Sequence, residues 1–213
     1  MQTTHPLRRT PQRRDAHSNH GRILATARQK LRDDPDASLD SIAQAAGVAR
    51  RTLYGHFPSR NALIADLTRE AGHELRQAFA AARTPVADPI EAMTRMVLAA
   101  WAVAEQYRML IALGRRHPGE DTLRATLAPV HAEAVATLRR GQREGVFADR
   151  LPAPVLARAL EALVPALAEE NAACTWADPT GEAAATAFLV AAGVAPQAAA
   201  SRVRAVVRES EGR

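Results

Sequence analysis

Between Arg50 and His56 the chain reads RRTLYGH, and Arg50, Arg51, Thr52, Tyr54 and His56 all carry side chains that can hydrogen-bond a nucleic acid. Arginine forks onto guanine in a major groove or pairs with phosphate, while threonine, tyrosine and histidine donate to phosphate oxygens. Such chemistry needs these groups on one rigid face. The surrounding stretch from Ser38 to Phe57, SLDSIAQAAGVARRTLYGHF, predicts two short helices around a tight turn. Leu39, Ile42, Ala43 and Ala46 recur at i, i+3, i+4 and i+7, which gives the first helix one apolar face. Ser38 stands as its N-cap, with Asp40 in the first turn to complement the helix dipole. Gly47 follows the last periodic residue, where a left-handed conformation is wanted. Val48, Leu53 and Phe57 form the apolar set of the second helix and leave the five polar residues off it. The pattern is a helix-turn-helix. Gly55 costs about 1 kcal/mol relative to alanine inside that second helix, which suits close approach to a DNA backbone.

The longer stretch IAQAAGVARRTLYGHFPSRNALI resembles the DNA-binding segment of the TetR family of bacterial repressors. That family's pattern is close to I-A-x-x-A-G-V-S-x-x-T-L-Y-x-H-F-x-S-K-x-x-L, and the match covers about residues 20 to 70. Two positions depart from it. Ala49 stands where a serine usually caps the recognition helix, so that helix is expected to start less firmly. Arg60 replaces the usual lysine, which keeps the charge but presents a planar fork. The resemblance implies a homodimer on a pseudo-palindromic double-stranded DNA operator, with Arg50, Arg51, Thr52, Tyr54 and His56 on the major groove and Ser38 and Arg60 on phosphates. It also implies a small-molecule effector that binds a C-terminal helical domain and lowers DNA affinity.

Charge is distributed accordingly. Residues 1 to 60 carry ten Arg and one Lys against five Asp, whereas residues 61 to 213 carry 17 Arg against 18 acidic residues. The whole positive surplus therefore lies with the helix-turn-helix, as expected of a protein that displaces counterions from phosphates. Lys30 is the only lysine, so arginine is preferred throughout the chain. Cys174 is the only cysteine and excludes an internal disulfide; it serves either as a structural thiol or as an oxidant sensor. No apolar run approaches a membrane span, and the N-terminus lacks the apolar core of a signal peptide, so a cytoplasmic location is expected.

Residues 1–16, with Arg8, Arg9, Arg13 and Arg14 and little to bury, predict a basic disordered arm. It either enters the minor groove or remains a solvated tail. Residues 17–68 form the expected three-helix DNA-binding domain, its first helix running from about His20 to Arg32 with Ile23, Leu24, Ala27 and Leu31 inward. Ser59 caps a following helix that carries Leu63, Ile64 and Leu67. Residues 69–213 form a larger helical ligand-binding and dimerisation domain. There, Asp88-Pro89-Ile90-Glu91 is a capping box with proline at the first helical position, and Tyr107 to Leu113 is a short helix. A loop over Gly114–Asp121 precedes a helix from Leu123 to Leu138. Pro165 kinks or interrupts the helix marked by Leu156, Leu160, Leu163, Val164 and Leu167. Asp178-Pro179 opens a further helix through Phe188, and the last runs from Ala198 to Glu209. No strand-like alternation of useful length occurs, so the expected fold is all-α.

Two of these helices bear on assembly. The Leu156–Leu167 face and the alanine and Phe188 face either pair with a second subunit or pack within their own chain. The expected effector wall is Met96, Trp101, Tyr107, Leu110, Leu127, His131 and Trp176. His131 interrupts an apolar stripe, and is either a ligand contact or a histidine satisfied by a neighbour.

Enzyme constellations are missing. There is no G-x-S-x-G, H-E-x-x-H or C-x-x-C, and no G-x-G-x-x-G after a strand. The Gly114–Gly119 spacing is followed by Glu120 and Asp121 where a phosphate loop requires lysine and a hydroxyl. Glu169 and Glu170 diverge on a helix, and His117 and His131 lie too far apart to suggest a metal site, so neither catalysis, metal nor cofactor is expected. The competing reading is an architectural protein that coats DNA without sequence preference, for which some 130 nearly neutral, apolar-helix residues have no use.

Overall fold

The computed structural model describes residues 11–82, 88–107, 120–172 and 176–211, and every regular element among them is a helix. In chain order these are α1 (Pro11–Asp33), α2 (Leu39–Ala45), α3 (Arg50–His56), α4 (Arg60–Ala82), α5 (Pro89–Gln106), α6 (Glu120–Arg143), α7 (Ala153–Ala172), α8 (Glu182–Ala191) and α9 (Pro196–Glu211). The chain divides into one unit over Met1–Leu67 and another over Thr68–Arg213, so the boundary falls within α4.

In the first unit Ile23, Leu24, Ala27 and Leu31 of α1 are buried with Leu39, Ile42 and Ala43 of α2, Leu53 of α3, Phe57, and Leu63, Ile64 and Leu67 of α4. The apolar periodicity of the sequence is thus the core of the unit. The first helix starts earlier than expected: Pro11 to Ala16 are helical rather than part of a disordered arm. Pro11 supplies the fixed φ favoured at the first helical position, and the following QRRDA contains no helix breaker. Residues 1–10 lie outside the described residues.

The second unit is arranged around α5, which packs on α6, α7, α8 and α9. Its Met93, Met96, Val97 and Trp101 are buried, and so are Thr94, whose Oγ1 donates to Ile90 O at 2.8 Å, and Tyr107 at its C-cap. A helix contacted on so many sides is apolar nearly all round. Asp88 caps it as expected, accepting from Ile90 N at 2.9 Å. Glu91 does not complete the capping box. It accepts instead from Arg95 one turn on, at 2.9 Å, and the same guanidinium reaches Glu209 of α9 at 2.7 Å. The hydrogen bond to Glu91, ahead of its charge and of Glu209, holds the Arg95 pKa above the usual arginine value.

Helix α7 runs unbroken through Pro165, and α6 likewise contains Pro129. The expected helix start at Asp178-Pro179 falls later, at Glu182. Gly181 precedes it at φ 78°, and the Asp178 carboxylate reaches forward to accept from Ala184 N at 2.9 Å. Asp178 is buried, its carbonyl accepting from Trp101 Nε1 at 3.1 Å and its amide donating to Asn171 Oδ1 at 2.8 Å. The α6 start at Glu120 places Glu120 and Asp121 in a helix rather than in the preceding loop. The expected helix over Tyr107–Leu113 is described only as far as Tyr107; the rest, like Cys174, lies outside the described residues.

A Cβ added at Gly181 would stand 2.6 Å from Trp101 Cδ1 and Cγ, in a backbone conformation that L side chains rarely adopt. Gly181→Ala is therefore expected to destabilise the protein by roughly 2 to 4 kcal/mol, combining left-handed strain with overpacking. A lowered urea midpoint, with Trp101 and Trp176 fluorescence reporting, would show it; an unchanged midpoint would mean that the indole moves aside freely.

Candidate nucleic-acid interface

The turn between α2 and α3 is built by the backbone. Gly47 is left-handed at φ 63°, its amide donates to Gln44 O at 3.1 Å, and Val48 N donates to Ala43 O at 3.0 Å. That pair of bonds is a Schellman motif, which satisfies the last carbonyls of α2 and fixes the angle at which the chain leaves it. At the other end Ser38 Oγ accepts from Ser41 N at 3.1 Å, which confirms the predicted cap. Ser59 caps α4 in the same way, accepting from Ala62 N at 3.1 Å. Helix α3 has no such help, because its N-cap is Ala49, with extended backbone but no side-chain hydrogen bond.

Leu53 is fully buried beneath α3 and Phe57 closes its C-terminus, while Arg50, Arg51 and Tyr54 are exposed and Thr52 and His56 are half-buried. Sequence and structure agree on this outward set. Their surroundings differ in ways the spacing did not indicate. Arg50 Nη2 donates to Asp40 Oδ2 of α2. Arg51 has no hydrogen-bond or ion-pair partner among the described residues. His56 packs edge-on against His20 of α1, ring centroids 5.7 Å apart. His20 is also stacked on Phe57 at 4.9 Å and paired through Nε2 with Asp66 Oδ2 of α4 at 3.3 Å. A cluster drawn from α1, α3 and α4 therefore secures the C-terminal end of α3. A Cβ at Gly55 would meet nothing within 4 Å, so nothing inside the protein requires glycine there.

Arg60 is turned inward, its guanidinium donating to the carbonyls of Pro35 and Ala37. It clamps the loop that carries Ser38, a role the sequence pattern did not disclose. His20 and Asp40 were also missed as components of this face. The only signal for Asp40 was its opposite charge to Arg50, ten residues away across a predicted turn.

The expected effector residues are more dispersed in character. Met96, Trp101 and Tyr107 are buried, and Leu127, His131 and Trp176 are half-buried; Leu110 lies outside the described residues. Trp176 meets Trp101 edge to face at 5.8 Å. Tyr107 Oη donates to Glu74 Oε1 at 2.7 Å, and His131 Nδ1 lies 2.7 Å from Glu161 Oε1, the neighbour-satisfied alternative for that histidine. Of the two alternatives for the expected subunit faces, packing within the chain holds for the large residues. Leu156, Val164 and Phe188 are buried in their own unit's core, and Leu163 and Leu167 pack against it. The exposed apolar stripes are instead Val155, Ala159, Ala162 and Ala166 on α7, and Ala183, Ala187 and Val190 on α8. No group of three or more metal-ligating side chains occurs among the described residues, and no described helix is long and apolar enough to cross a membrane.

A helix-turn-helix with an outward basic second helix, among described residues whose regular elements are all helices, is an arrangement suited to binding DNA. Residues 23–67 match the family model described as bacterial regulatory proteins, tetR family. The helix-turn-helix segment is thus similar to that of the TetR family. A 76-residue segment is 38% identical to the HTH-type transcriptional repressor LfrR of Mycolicibacterium smegmatis, covering 36% of this chain and 40% of that one. The chain thus spans about two fifths of the length of this relative. A TetR family protein from Vibrio parahaemolyticus is similar in structure at a TM-score of 0.58 and 27% identity, over 81% of this chain and 97% of that one. RolR in complex with resorcinol shares the fold at a TM-score of 0.57 and 16% identity, over 90% of this chain and 95% of that chain.

The bare Ala49 cap has a measurable consequence. Its backbone, at φ −64° and ψ 144°, suits a capping serine. Ala49→Ser is expected to raise stability by about 0.5 to 2 kcal/mol. Chemical denaturation of the pure protein measures it, and a neutral or negative change would show that the α3 amides are already satisfied.

Proposed function

We propose that this protein is a sequence-specific transcriptional regulator, a repressor that acts as a homodimer on a pseudo-palindromic operator and is released by a small molecule. The observation that carries the reading is α3 itself. It is anchored on one side through Leu53 and Phe57 and offers Arg50, Arg51, Thr52, Tyr54 and His56 from the other. The first residues of such a helix reach base edges in the major groove, while Ser38 at the α2 N-terminus and the Arg60-clamped loop lie with phosphates. The basic surplus in residues 1 to 60 supports the same partner, and chromosomal DNA places the action in the cytoplasm.

Two-fold operators are read by two-fold proteins. The apolar stripes at Val155, Ala159, Ala162 and Ala166 and at Ala183, Ala187 and Val190 support a self-complementary contact, since small side chains let helices approach closely. The effector belongs to the larger helical unit, a placement supported by the fold shared with resorcinol-bound RolR. To release DNA it must bind the two affinity states unequally.

Binding to the DNA flanking the protein's own gene, beside a scrambled duplex and over a range of salt, tests this reading. Regulation requires a preference on the order of 10³-fold or more for the native fragment, and the native complex then serves to screen effectors by release. Equal, steeply salt-dependent binding to both duplexes would favour DNA coating instead. Ala162→Glu, which places a charge in the proposed contact, is expected to sediment as a monomer and to lose operator affinity; a dimer that persists unchanged would exclude this face.

A further inference from the structure

We propose that Asp40 is a positioning residue that makes Arg50 the base-reading arginine of this face and leaves Arg51 to grip phosphate; this deepens the DNA-binding reading above and rests on it. The two arginines are adjacent and alike in sequence, yet differently held. Arg50, the first residue of α3, donates through Nη2 to Asp40 Oδ2, although its side chain remains 71% exposed. Arg51 is exposed with no partner among the described residues. A guanidinium is planar with five N–H donors, so holding one nitrogen sets the plane of the group and leaves its other donors to point outward.

The two kinds of DNA contact differ in what they require. A bidentate bond to guanine O6 and N7 needs the plane and direction of the fork set in advance, whereas a phosphate accepts a swinging charge. Arg50 opens α3, and the N-terminal residues of a recognition helix reach base edges, so it stands where such a fork is used. The carboxylate itself points the same way. Asp40 places a negative charge on a surface otherwise suited to phosphates, and an ion pair between side chains this exposed does little for folding. Its Oδ1 is buried and without a hydrogen-bond partner, so the carboxylate is held in one orientation by its surroundings rather than by a second bond. A costly, oriented anion beside one arginine is accounted for by the direction it imposes.

The experiment selects from a pool of duplexes with a randomised central window, using the full-length wild type, Asp40→Asn, Arg50→Ala and Arg51→Ala, with far-ultraviolet circular dichroism to confirm that each exposed-site variant is folded. Wild type is expected to enrich a motif containing a guanine whose preference disappears in Arg50→Ala. In Asp40→Asn the preference at that same position should fall roughly tenfold while the other positions hold, and binding to the unselected pool should rise. Arg51→Ala should weaken all sequences alike and reduce the salt slope. The proposal is overturned if Asp40→Asn keeps the guanine preference and shifts every affinity by one factor, or if Arg51→Ala rather than Arg50→Ala erases a base preference. A wild type that enriches no motif would instead defeat the sequence-specific reading beneath it, and the proposal with it.

Discussion

The recognition helix has seven residues, well short of the length at which a helix is stable by itself in water, so its existence depends on what it buries. Leu53 and Phe57 provide that anchorage. Every other feature of the first unit can be understood as maintaining it: α1 and α4 supply Ile23, Leu31, Leu63 and Leu67 to the same core, and the Schellman turn at Gly47 delivers the chain to Arg50 in the right direction. Polar pins complete the mounting. His20 and Asp66 hold the Phe57 end, and Arg60 holds the loop that leads into α2. A seven-residue element is thus kept rigid from behind, so Arg50, Arg51 and Tyr54 can remain exposed on its outer face.

The second unit solves a different problem, the packing of four helices against one largely apolar helix, α5. Trp101 of α5 lies against Gly181, donates to the Asp178 carbonyl and meets Trp176 in a T-shaped contact. Its indole N–H, a donor that would be costly to bury alone, is satisfied by that carbonyl. Asp178 in turn caps α8, and Asn171 joins it to Glu105 of α5, at 3.0 Å, so the polar atoms within this core form a connected set. Such a set resists partial disruption, since removing one member leaves another buried and unpaired.

How much of this could be read from the sequence varied with the range of the interaction. The helix-turn-helix was legible because its determinants are local: period, cap and glycine turn lie within twenty residues, and Ser38, Ser59 and Asp88 all cap as their positions indicate. What escaped were pairings between elements. Glu91 fits a capping box by spacing, but it accepts instead from Arg95 on the same face, whose guanidinium also reaches Glu209 of α9. The subunit faces stayed undecided in the sequence for a related reason. On α7 and α8 apolar residues occur on more than one side, so the pattern alone does not say which stripe enters the chain's own core; Leu156, Ala157, Ala184 and Phe188 go inward, while Val155, Ala159, Ala183 and Ala187 remain outside. His131 shows the same limit, for its partner Glu161 is thirty residues away.

The least stable part of the first unit, judged by local rules, is the start of α3. It lacks a side-chain cap, has no acidic residue in its first turn, and places two arginines where the helix dipole is already positive. In a structure whose other choices are mutually consistent, a concentration of unfavourable ones marks a functional site. The compensation within the protein is a single carboxylate, Asp40, which offsets one of the two charges. A polyanion laid against this end would offset the other and supply acceptors to both guanidinium groups. The local instability and the proposed affinity for DNA therefore have one physical origin, positive charge gathered at the amino end of a helix.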